Sequence, residues 1–444
     1  MTIKSPTRIL ILGAGPAGLS TAIALAITST PTNPLHITVL ELRPRLETIG
    51  GTVNLTMLAL RYLDHLGVGP RLRPKGVQVG SLRVVAARSG KELGSLFSGM
   101  DNIRVARHHI VESILQTVQE DHAQLIDVVF GKRTVSIAEV NDGDGGGKVV
   151  LEMENGDTFE GDILLGCDGL HSAARTLYVE PERREVYSGR AVARGHAVTV
   201  QKGEANLALA NGRRAMDTVL GIQGRYGMML LSFSEPTRSQ ISMGDITGYP
   251  EPSGNVRDGW KVMGEDREKL KRGVSERWSG GSLRGLAELL DRCDDWTLYP
   301  VYKLPPGGAW NKGRVLLLGD AAHAMPPQGE STARTRKLLN ALLPSKLTHR
   351  QGIAIEDGIL FARLFERRQS RSLEHIFSDY ETLRRSEIDQ HYKSANFRWE
   401  SAAQDSSWLW AYLMEWFTWG FMILQGRKMA ARMGSDVRNL ELPE

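Results

Sequence analysis

The feature that most constrains this chain is a glycine-rich turn that joins an apolar run to an alanine-rich stretch. The turn lies within Arg8-Ile-Leu-Ile-Leu-Gly13-Ala14-Gly15-Pro16-Ala17-Gly18-Leu19. This pattern predicts a strand, a tight turn and a helix, in which Gly13 permits the turn and Gly15 leaves room for a pyrophosphate. Gly18 lets the helix pack on its strand. Such a turn also suits a plain strand-to-helix connection.

A second predicted strand strengthens the ligand interpretation. The run from His36 to Glu41 follows the predicted helix and ends in a carboxylate, where a ribose hydroxyl would need an acceptor. The two features together predict a dinucleotide site with Glu41 as the ribose ligand. The alternative for Glu41 is a solvated glutamate at the end of a strand.

Composition excludes several classes of protein. The 444 residues, 41% apolar and 24% charged, suit a globular chain of two or three domain-sized units. Cys167 and Cys293 are too few for a disulfide framework and lack metal-ligand spacing, so we expect a reducing, cytoplasmic compartment and no metal. The predicted first strand leaves no room for a signal peptide. Five basic residues and no acid lie within 331–351, and without them the formal charge of +4 would be −1. The rest of the chain is therefore near neutral, and we expect no nucleic acid partner.

Two further apolar runs end in small acidic motifs. One run ends at Cys167-Asp168-Gly169, and the other ends at Gly319-Asp320 before His323 and Pro326. Apolar runs of this kind are typical of parallel strands covered on both faces. Because the carboxyl ends of parallel strands meet at one edge of a sheet, we expect all three strand ends to converge on one ligand.

Other stretches alternate between apolar and polar residues and predict a second sheet. Residues 77–87 and 92–97 predict a hairpin, and residues 187–233 predict further antiparallel strands. Residues 234–281 are richer in glycine, proline and charge, which predicts a long surface connection. The chain therefore leaves the nucleotide-binding unit and returns to it.

The three strand-end motifs, in this order, resemble the FAD-dependent monooxygenases with the para-hydroxybenzoate hydroxylase fold, including fungal salicylate hydroxylase-like enzymes. The resemblance covers roughly residues 8–400. It implies an α/β fold with a Rossmann-like FAD-binding domain, an antiparallel β-sheet substrate domain and a C-terminal helical segment. We expect these parts at 1–75, 100–180 and 300–400 for FAD, at 76–99 and 181–299 for substrate, and at 401–444 for the Trp-rich segment.

The resemblance also implies a reaction. NADPH or NADH and O2 would serve to hydroxylate an aromatic or phenolic substrate, such as a secondary metabolite, through a flavin C4a-hydroperoxide. Two alternatives stay open, namely a catalytically inactive FAD-binding protein and a flavin epoxidase or halogenase-type relative. The halogenase signature Gly-Trp-x-Trp-x-Ile-Pro does not occur in this sequence.

Individual site residues follow from the same resemblance. For FAD they are Gly13, Ala14, Gly15, Ala17, Gly18, Glu41, Gly51, Arg107, Asp168, Gly169, Gly319, Asp320, Gly329 and Glu330. For the substrate, Arg194 and Tyr226 on neighbouring β segments are the candidate catalytic groups, because a cation and a phenol can hold a phenolate. The alternative for this pair is ordinary polar residues on a sheet surface.

The sequence departs from the family pattern beside the expected flavin ring. The family runs from a glycine-rich turn directly into a helix, whereas here the 21 residues 331–351 separate Gly329-Glu330 from Gly352. Joining the flanks restores a motif close to the family pattern. Our hypothesis is that 331–351 is a gene-model or splicing artefact, and the alternative is a tolerated surface insertion.

The C-terminal stretch 408–424 is almost wholly apolar. It contains four tryptophans and one charge, Glu415, and basic residues follow it. The stretch is marginal for a membrane span, and tryptophans favour an interface. We expect a helix packed on the enzyme body or a dimer face, or docked peripherally on a membrane, in a monomer or a homodimer.

Overall fold

The computed structural model describes residues 5–47, 50–96, 98–141, 147–199, 205–253, 255–327, 350–401, 407–429 and 436–443. In these ranges the strands are β1 (Thr7–Leu12), β2 (Leu35–Leu40), β3 (Thr52–Leu55), β4 (Val77–Gln78), β5 (Leu82–Ala86), β6 (Glu92–Leu96), β7 (Ile103–Ala106), β8 (Ile126–Val129), β9 (Thr134–Asn141), β10 (Gly147–Met153), β11 (Thr158–Gly161), β12 (Ile163–Gly166), β13 (Val186–Val198), β14 (Val219–Gly224), β15 (Gly227–Ser232), β16 (Gln240–Gly248), β17 (Thr297–Lys303), β18 (Asn311–Lys312) and β19 (Val315–Leu317).

The helices are α1 (Pro16–Thr28), α2 (Met57–His65), α3 (Gly69–Leu72), α4 (Arg107–Asp121), α5 (Val256–Glu265), α6 (Arg267–Trp278), α7 (Leu286–Asp291), α8 (Asp320–His323), α9 (Arg350–Phe365), α10 (Leu373–Ser401) and α11 (Trp408–Met429). Short 3-10 turns occupy Arg73–Lys75, Glu366–Gln369 and Val437–Asn439, and a π-helical turn occupies Arg175–Val179.

A six-stranded sheet carries the predicted nucleotide unit. Its order is β18-β19-β12-β1-β2-β8, with all strands parallel except the edge strand β18. The central strands are continuous apolar runs because helices and neighbouring elements cover both faces, and Ile9, Leu164 and Leu316 are fully buried. The predicted strand, turn and helix at the start of the chain are confirmed as β1 and α1.

A seven-stranded sheet forms the other half, in the order β17-β13-β16-β15-β14-β5-β6. The long strand β13 pairs antiparallel with both β16 and β17, and the predicted hairpin is confirmed as β5 and β6. One pair departs from the antiparallel expectation, because β14 and β5 run parallel. We call this sheet the substrate sheet.

The prediction that residues 234–281 form only a surface connection is wrong. The segment contains β16, which lies inside the substrate sheet, and helices α5 and α6. Asp245 interrupts the apolar alternation of β16, yet it is fully buried because Arg277 Nε and Trp278 Nε1 each donate to it at 3.0 Å. A buried polar group with such distant partners leaves no apolar pattern in the sequence.

Two small sheets complete the fold. The hairpin sheet β11-β10-β9 lies beside the parallel sheet, and β3-β7-β4 lies between the two large sheets. Arg104 on β7 donates to Thr52 Oγ1 of β3 at 2.8 Å and to Ser232 Oγ of β15 at 3.1 Å. This buried arginine therefore ties β3 and β7 to the substrate sheet.

Candidate functional site

The turn after β1 opens onto a cavity lined by residues of both large sheets. Gly13 has φ +99, and a Cβ on it would lie 2.7 Å from the Cys167 carbonyl oxygen, so no side chain fits there. A Cβ on Gly15 would meet nothing within 4 Å. The N-terminus of α1 therefore faces open space, where backbone N–H groups and the helix dipole favour an anion.

Glu41 follows β2 and holds this turn in place. Its Oε2 accepts a hydrogen bond from the Ala14 backbone N–H at 2.8 Å, and its Oε1 accepts from the Arg43 N–H at 3.0 Å. The carboxylate lines the cavity with these bonds made. Since each carboxylate oxygen can accept a second bond, the group retains acceptor capacity toward a ligand.

The cavity has a volume of about 830 Å³ and collects most of the predicted site residues. Those that line it are Gly13, Ala14, Gly15, Ala17, Glu41, Gly51, Arg107, Asp168, Gly169, Arg194 and Asp320. Gly18 and Gly319 lie behind this surface, where Gly18 packs on the Gly13 carbonyl and Gly319 packs on Ala17 and Ala354. Gly329 and Glu330 lie outside the described residues, as do 331–349.

The structure does not bring Tyr226 to the cavity. Tyr226 lies in the tight turn between β14 and β15, where the Arg225 guanidinium carbon is 4.9 Å from its ring centroid. The cavity is lined instead by Met228 and Leu230, further along β15. The tyrosine that does stack on Arg194 is Tyr299 of β17, with 5.0 Å between guanidinium carbon and ring centroid.

Asp168 shapes the second strand end. Its Oδ2 accepts hydrogen bonds from the backbone N–H groups of Ala173 at 2.6 Å and Ala174 at 3.2 Å. Burial raises the pKa of the Asp168 carboxyl, and these donors oppose the rise. The side chain thus fixes the turn that contains Gly169 on the cavity wall.

Asp357 of α9 anchors the third strand end. Its Oδ2 accepts from the Gly319 N–H at 2.9 Å and lies 2.8 Å from His323 Nε2, while its Oδ1 accepts from Arg384 Nε at 2.7 Å. All these side chains are buried. Although burial opposes ionisation, His323 and Arg384 hold the pKa of Asp357 well below its ordinary value. His323 is therefore a hydrogen-bonding partner of Asp357 at this strand end.

Arg384 is surrounded by three carboxylates, which predicts a measurable pH effect. It also contacts Glu356 at 2.7 Å and Glu387 at 2.9 Å, and burial raises the pKa of Glu356 to about 7. This pKa exceeds the ordinary value, so the stabilising contribution of Glu356 is complete below pH 4.5 and is lost as the pH rises through 7. The full rise corresponds to roughly 3 kcal/mol.

Glu356→Gln should therefore gain stability relative to the unmodified protein between pH 5 and pH 8, because glutamine has no charge to bury. Chemical denaturation at both pH values measures this difference. The matched change Asp357→Asn should behave in the opposite way and destabilise at pH 8, since the pKa of Asp357 is lowered. A pH-independent difference for Glu356→Gln would contradict the assignment.

One face of the substrate sheet forms the far wall of the cavity. Val192, Arg194 and His196 alternate along β13, and register places Arg194 opposite Gly244 of β16. A Cβ on Gly244 would meet only Val192, at 4.0 Å, so the absent side chain leaves open space on this wall. Val192, Ile246, Met228 and Leu230 supply the apolar surface of this wall, and Ser242, Tyr302 and His196 supply its polar groups.

Arg194 is a half-buried cation beside this space. The structure gives it no carboxylate partner among the described residues, and it rests on Tyr299 with Arg107 nearby. Burial lowers the pKa of the guanidinium, but an arginine stays charged. A half-buried charge without an opposite charge is costly, so this position favours an anionic ligand.

A histidine–carboxylate pair that the sequence pattern does not predict lies on the same wall. His196 Nδ1 lies 2.8 Å from Asp295 Oδ2, and the His196 N–H donates to Asp295 Oδ1 at 2.6 Å. Burial alone would raise the pKa of Asp295, but its bonds with His196 lower it. His196 itself follows the alternation from Arg194, whereas Asp295 is separated from it by 99 positions, so only the fold reveals the pair.

The chain is similar to known FAD-binding proteins in sequence. The model of the FAD binding domain family matches residues 6–254. Salicylate hydroxylase of Pseudomonas putida is 25% identical over 401 residues, which cover 87% of this chain and 83% of the relative. The FAD-dependent urate hydroxylase of Klebsiella pneumoniae is 26% identical over 387 residues, 85% of each chain.

Solved structures share the fold. The Klebsiella pneumoniae protein HpxO, complexed with FAD and uric acid, superposes with a TM-score of 0.72 at 19% identity and covers 97% of both chains. A salicylate hydroxylase substrate complex gives a TM-score of 0.72 at 16% identity over 99% of both chains.

Proposed function

Since the chain belongs to the FAD binding domain family, whose relatives are FAD-dependent aromatic hydroxylases, we propose that it oxygenates a planar aromatic anion held at Arg194. It is an FAD-dependent monooxygenase, for which NAD(P)H and O2 are the co-substrates typical of the family. The resemblance, the α/β fold class and the FAD cofactor predicted from the sequence are thereby confirmed.

The cavity fits FAD on two observations. The open space at Gly15 admits a pyrophosphate at the start of α1, with Glu41 beside it for a ribose. Asn54, also on the cavity wall, is 2% exposed, and neither its Oδ1 nor its Nδ2 has a hydrogen-bond partner in the described structure. A buried amide of this kind needs a ligand or water. Bound FAD supplies hydride acceptance and oxygen activation.

Asp320 should contribute more to FAD affinity than Asp168. Asp320 begins α8 on the cavity wall, where the resemblance assigns it to the ribityl or pyrophosphate part of FAD, whereas Asp168 Oδ2 accepts from backbone N–H groups and fixes its own turn. We expect Asp320→Ala to weaken FAD binding by about ten- to a hundredfold. Asp168→Ala should instead lower thermal stability. Fluorescence titration of apoprotein with FAD measures the difference, and equal affinities would count against it.

The proposed substrate class follows mainly from Arg194. A cation inside an apolar pocket selects a flat ligand with a carboxylate or phenolate, because the apolar walls bury the ring while the guanidinium meets the charge. Deprotonation also makes a phenol ring more nucleophilic. We propose that Arg194 binds the anion and orients its ring.

His196 would take the phenolic proton. Its Nδ1 is fixed by Asp295, so Nε2 is the atom free to accept, and its partly exposed ring can return the proton to water. His196→Gln should lower kcat by about ten- to a hundredfold at neutral pH and by less at alkaline pH, where the phenol ionises unaided. A pH profile of kcat tests this, with Asp295→Asn expected to change it in the same direction. An unchanged profile would remove His196 from the reaction.

Product analysis tests the function itself. Purified protein with FAD, NADPH or NADH, and a panel of aromatic acids and phenols should consume nicotinamide in step with a product heavier by one oxygen atom. Neutral analogues without the acidic group should not be converted. NAD(P)H oxidation that yields only hydrogen peroxide across the panel would favour the inactive alternative.

The Trp-rich helix α11 supports a proposal about the binding partner of this protein. Because its exposed face is apolar, we propose that the cytoplasmic enzyme makes a peripheral contact through 408–424, either with a membrane surface or with a second copy in a homodimer.

A further inference from the structure

The C-terminal helix α11 exposes its apolar side and buries its polar side against the protein body. The side toward the protein body carries Glu415, Thr418 and Met422, which are 8%, 0% and 5% exposed. The opposite side carries six large apolar residues that are 38% to 71% exposed: Trp408, Leu409, Tyr412, Leu413, Trp416 and Trp419. A surface helix normally buries its apolar side and exposes its polar one.

Specific contacts fix the helix in this orientation. Arg88 donates to both carboxylate oxygens of Glu415, at 3.2 and 2.7 Å. Thr418 Oγ1 lies 3.0 Å from Gln223 Oε1, and Met422 packs directly over Gly94. Turning the tryptophans inward would break these bonds and leave Arg88 and Gln223 against an apolar surface. The exposed aromatic face is therefore built into the fold.

The composition of the face and its neighbours indicates what covers it. Tryptophan and tyrosine are the residues enriched where a bilayer meets water, and leucines between them insert into the acyl boundary. The segment 426–432, which includes the last turn of α11, contains Arg427, Lys428 and Arg432 and no acid. Basic residues beside an amphipathic helix favour anionic lipid. Within the part of the chain that is described, no helix has the length and apolarity to cross a bilayer.

We propose that α11 docks the enzyme on an anionic phospholipid surface, with its aromatic face in the interface and its polar side against the protein. The basic segment supplies the attraction, and the apolar face supplies the depth of insertion.

The position of α11 gives this docking a functional consequence, which rests on the proposed function. Gln223, bonded to α11, lies opposite Met228 in the β14–β15 register, so both point to the same face of the substrate sheet. Met228 lines the cavity and belongs to the same apolar cluster as Met422. α11 therefore packs on the same face of the substrate sheet that lines the cavity. Docking through α11 would bring this face of the sheet toward the membrane. The substrate class this favours is a lipophilic aromatic acid or phenol that partitions into lipid.

Vesicle flotation of the full-length, FAD-loaded protein tests the docking. Protein should float with phosphatidylcholine vesicles that contain phosphatidylserine, and far less with phosphatidylcholine alone. Trp416→Gln with Trp419→Gln should weaken binding by about tenfold or more. The matched control Val262→Gln replaces a residue that is 66% exposed on α5 and should bind normally. Circular dichroism and FAD content establish that each variant is folded.

Three outcomes overturn the docking: no flotation, equal flotation of the double variant and the control, or a dimer that dissociates in the double variant without any vesicle binding. Activity separates this proposal from the proposed function. Oxygenation of dissolved aromatic acids without flotation refutes the docking alone. Flotation without oxygenation of any aromatic compound refutes the proposed function alone. Faster turnover of a lipophilic phenol supplied in anionic vesicles, lost in the double variant, supports the substrate class.

Discussion

Replacing Arg194 with glutamine should lower kcat/KM for an aromatic anion by about a hundredfold, equivalent to roughly 3 kcal/mol. The loss arises because the anion would enter an apolar pocket without its cation, while the space beside Gly244 keeps its shape. FAD content should stay close to that of the unmodified protein, since Arg194 is on β13 of the substrate sheet, whereas Gly15 and Glu41 lie at the ends of strands of the parallel sheet. Steady-state kinetics and the flavin absorbance spectrum measure both quantities.

The chain offers a matched control for this change. Arg225 also stacks on a neighbouring tyrosine of the substrate sheet, at 4.9 Å, but it lies in the β14–β15 turn and does not line the cavity. Arg225→Gln should leave kcat/KM within about twofold. Arg194→Lys should fall between, because a lysine keeps the charge and loses the planar fork. Equal losses at Arg194 and Arg225 would mean that the pocket has been misplaced.

Deleting Ser331–Gln351 should raise FAD occupancy and permit substrate-stimulated NAD(P)H oxidation, whereas the full chain should be flavin-poor or inactive. The segment after it is held independently of it. Ala354 packs on Gly319, Gly352 lies against Ala59, and Asp357 bonds the strand end. The deletion would connect the glycine-rich turn directly to this anchored helix, whose N-terminal dipole acts only within its first turn.

A further variant separates the effect of the length of 331–351 from the effect of its sequence. A variant in which the same 21 positions hold a glycine–serine linker keeps the length and removes the basic sequence. We expect it to resemble the full chain, since the argument depends on the interruption. Stopped-flow reduction by NADPH and the flavin-to-protein ratio compare all three proteins. Should the full chain be as flavin-replete and active as the deletion, 331–351 is a benign loop.

The sequence predicts those parts of the site that are local in the chain. Each strand-end motif combines an apolar run and a turn within about a dozen residues, so Gly13, Asp168 and Asp320 could be placed on one cavity from spacing alone. The inference is strong there because parallel strands expose their carboxyl ends on one side.

The substrate wall depends on pairings between distant strands. Strand register places Tyr299 and Gly244 beside β13, and a hydrogen bond over 99 positions joins Asp295 to His196. No short sequence pattern predicts which of these distant residues lie opposite each other. Tyr226 illustrates the limit, since alternation predicts a strand there but not the turn that carries the side chain away from the cavity. The missed strand β16 has the same cause, a buried acid satisfied by residues more than 30 positions away.

The three bonds made by Asp357 join a strand end, the short helix α8 and the long helix α10 at one carboxylate. Local unfolding of any one of these three elements would leave charged groups without partners in an apolar interior. Because that is costly, we expect the three elements to unfold together. This corner of the molecule therefore opens and closes as one cooperative unit. The backbone amides of Gly319 and of α10 around Arg384 should exchange hydrogen at the same rate, so that unfolding of α10 and loss of the cofactor pocket are a single event.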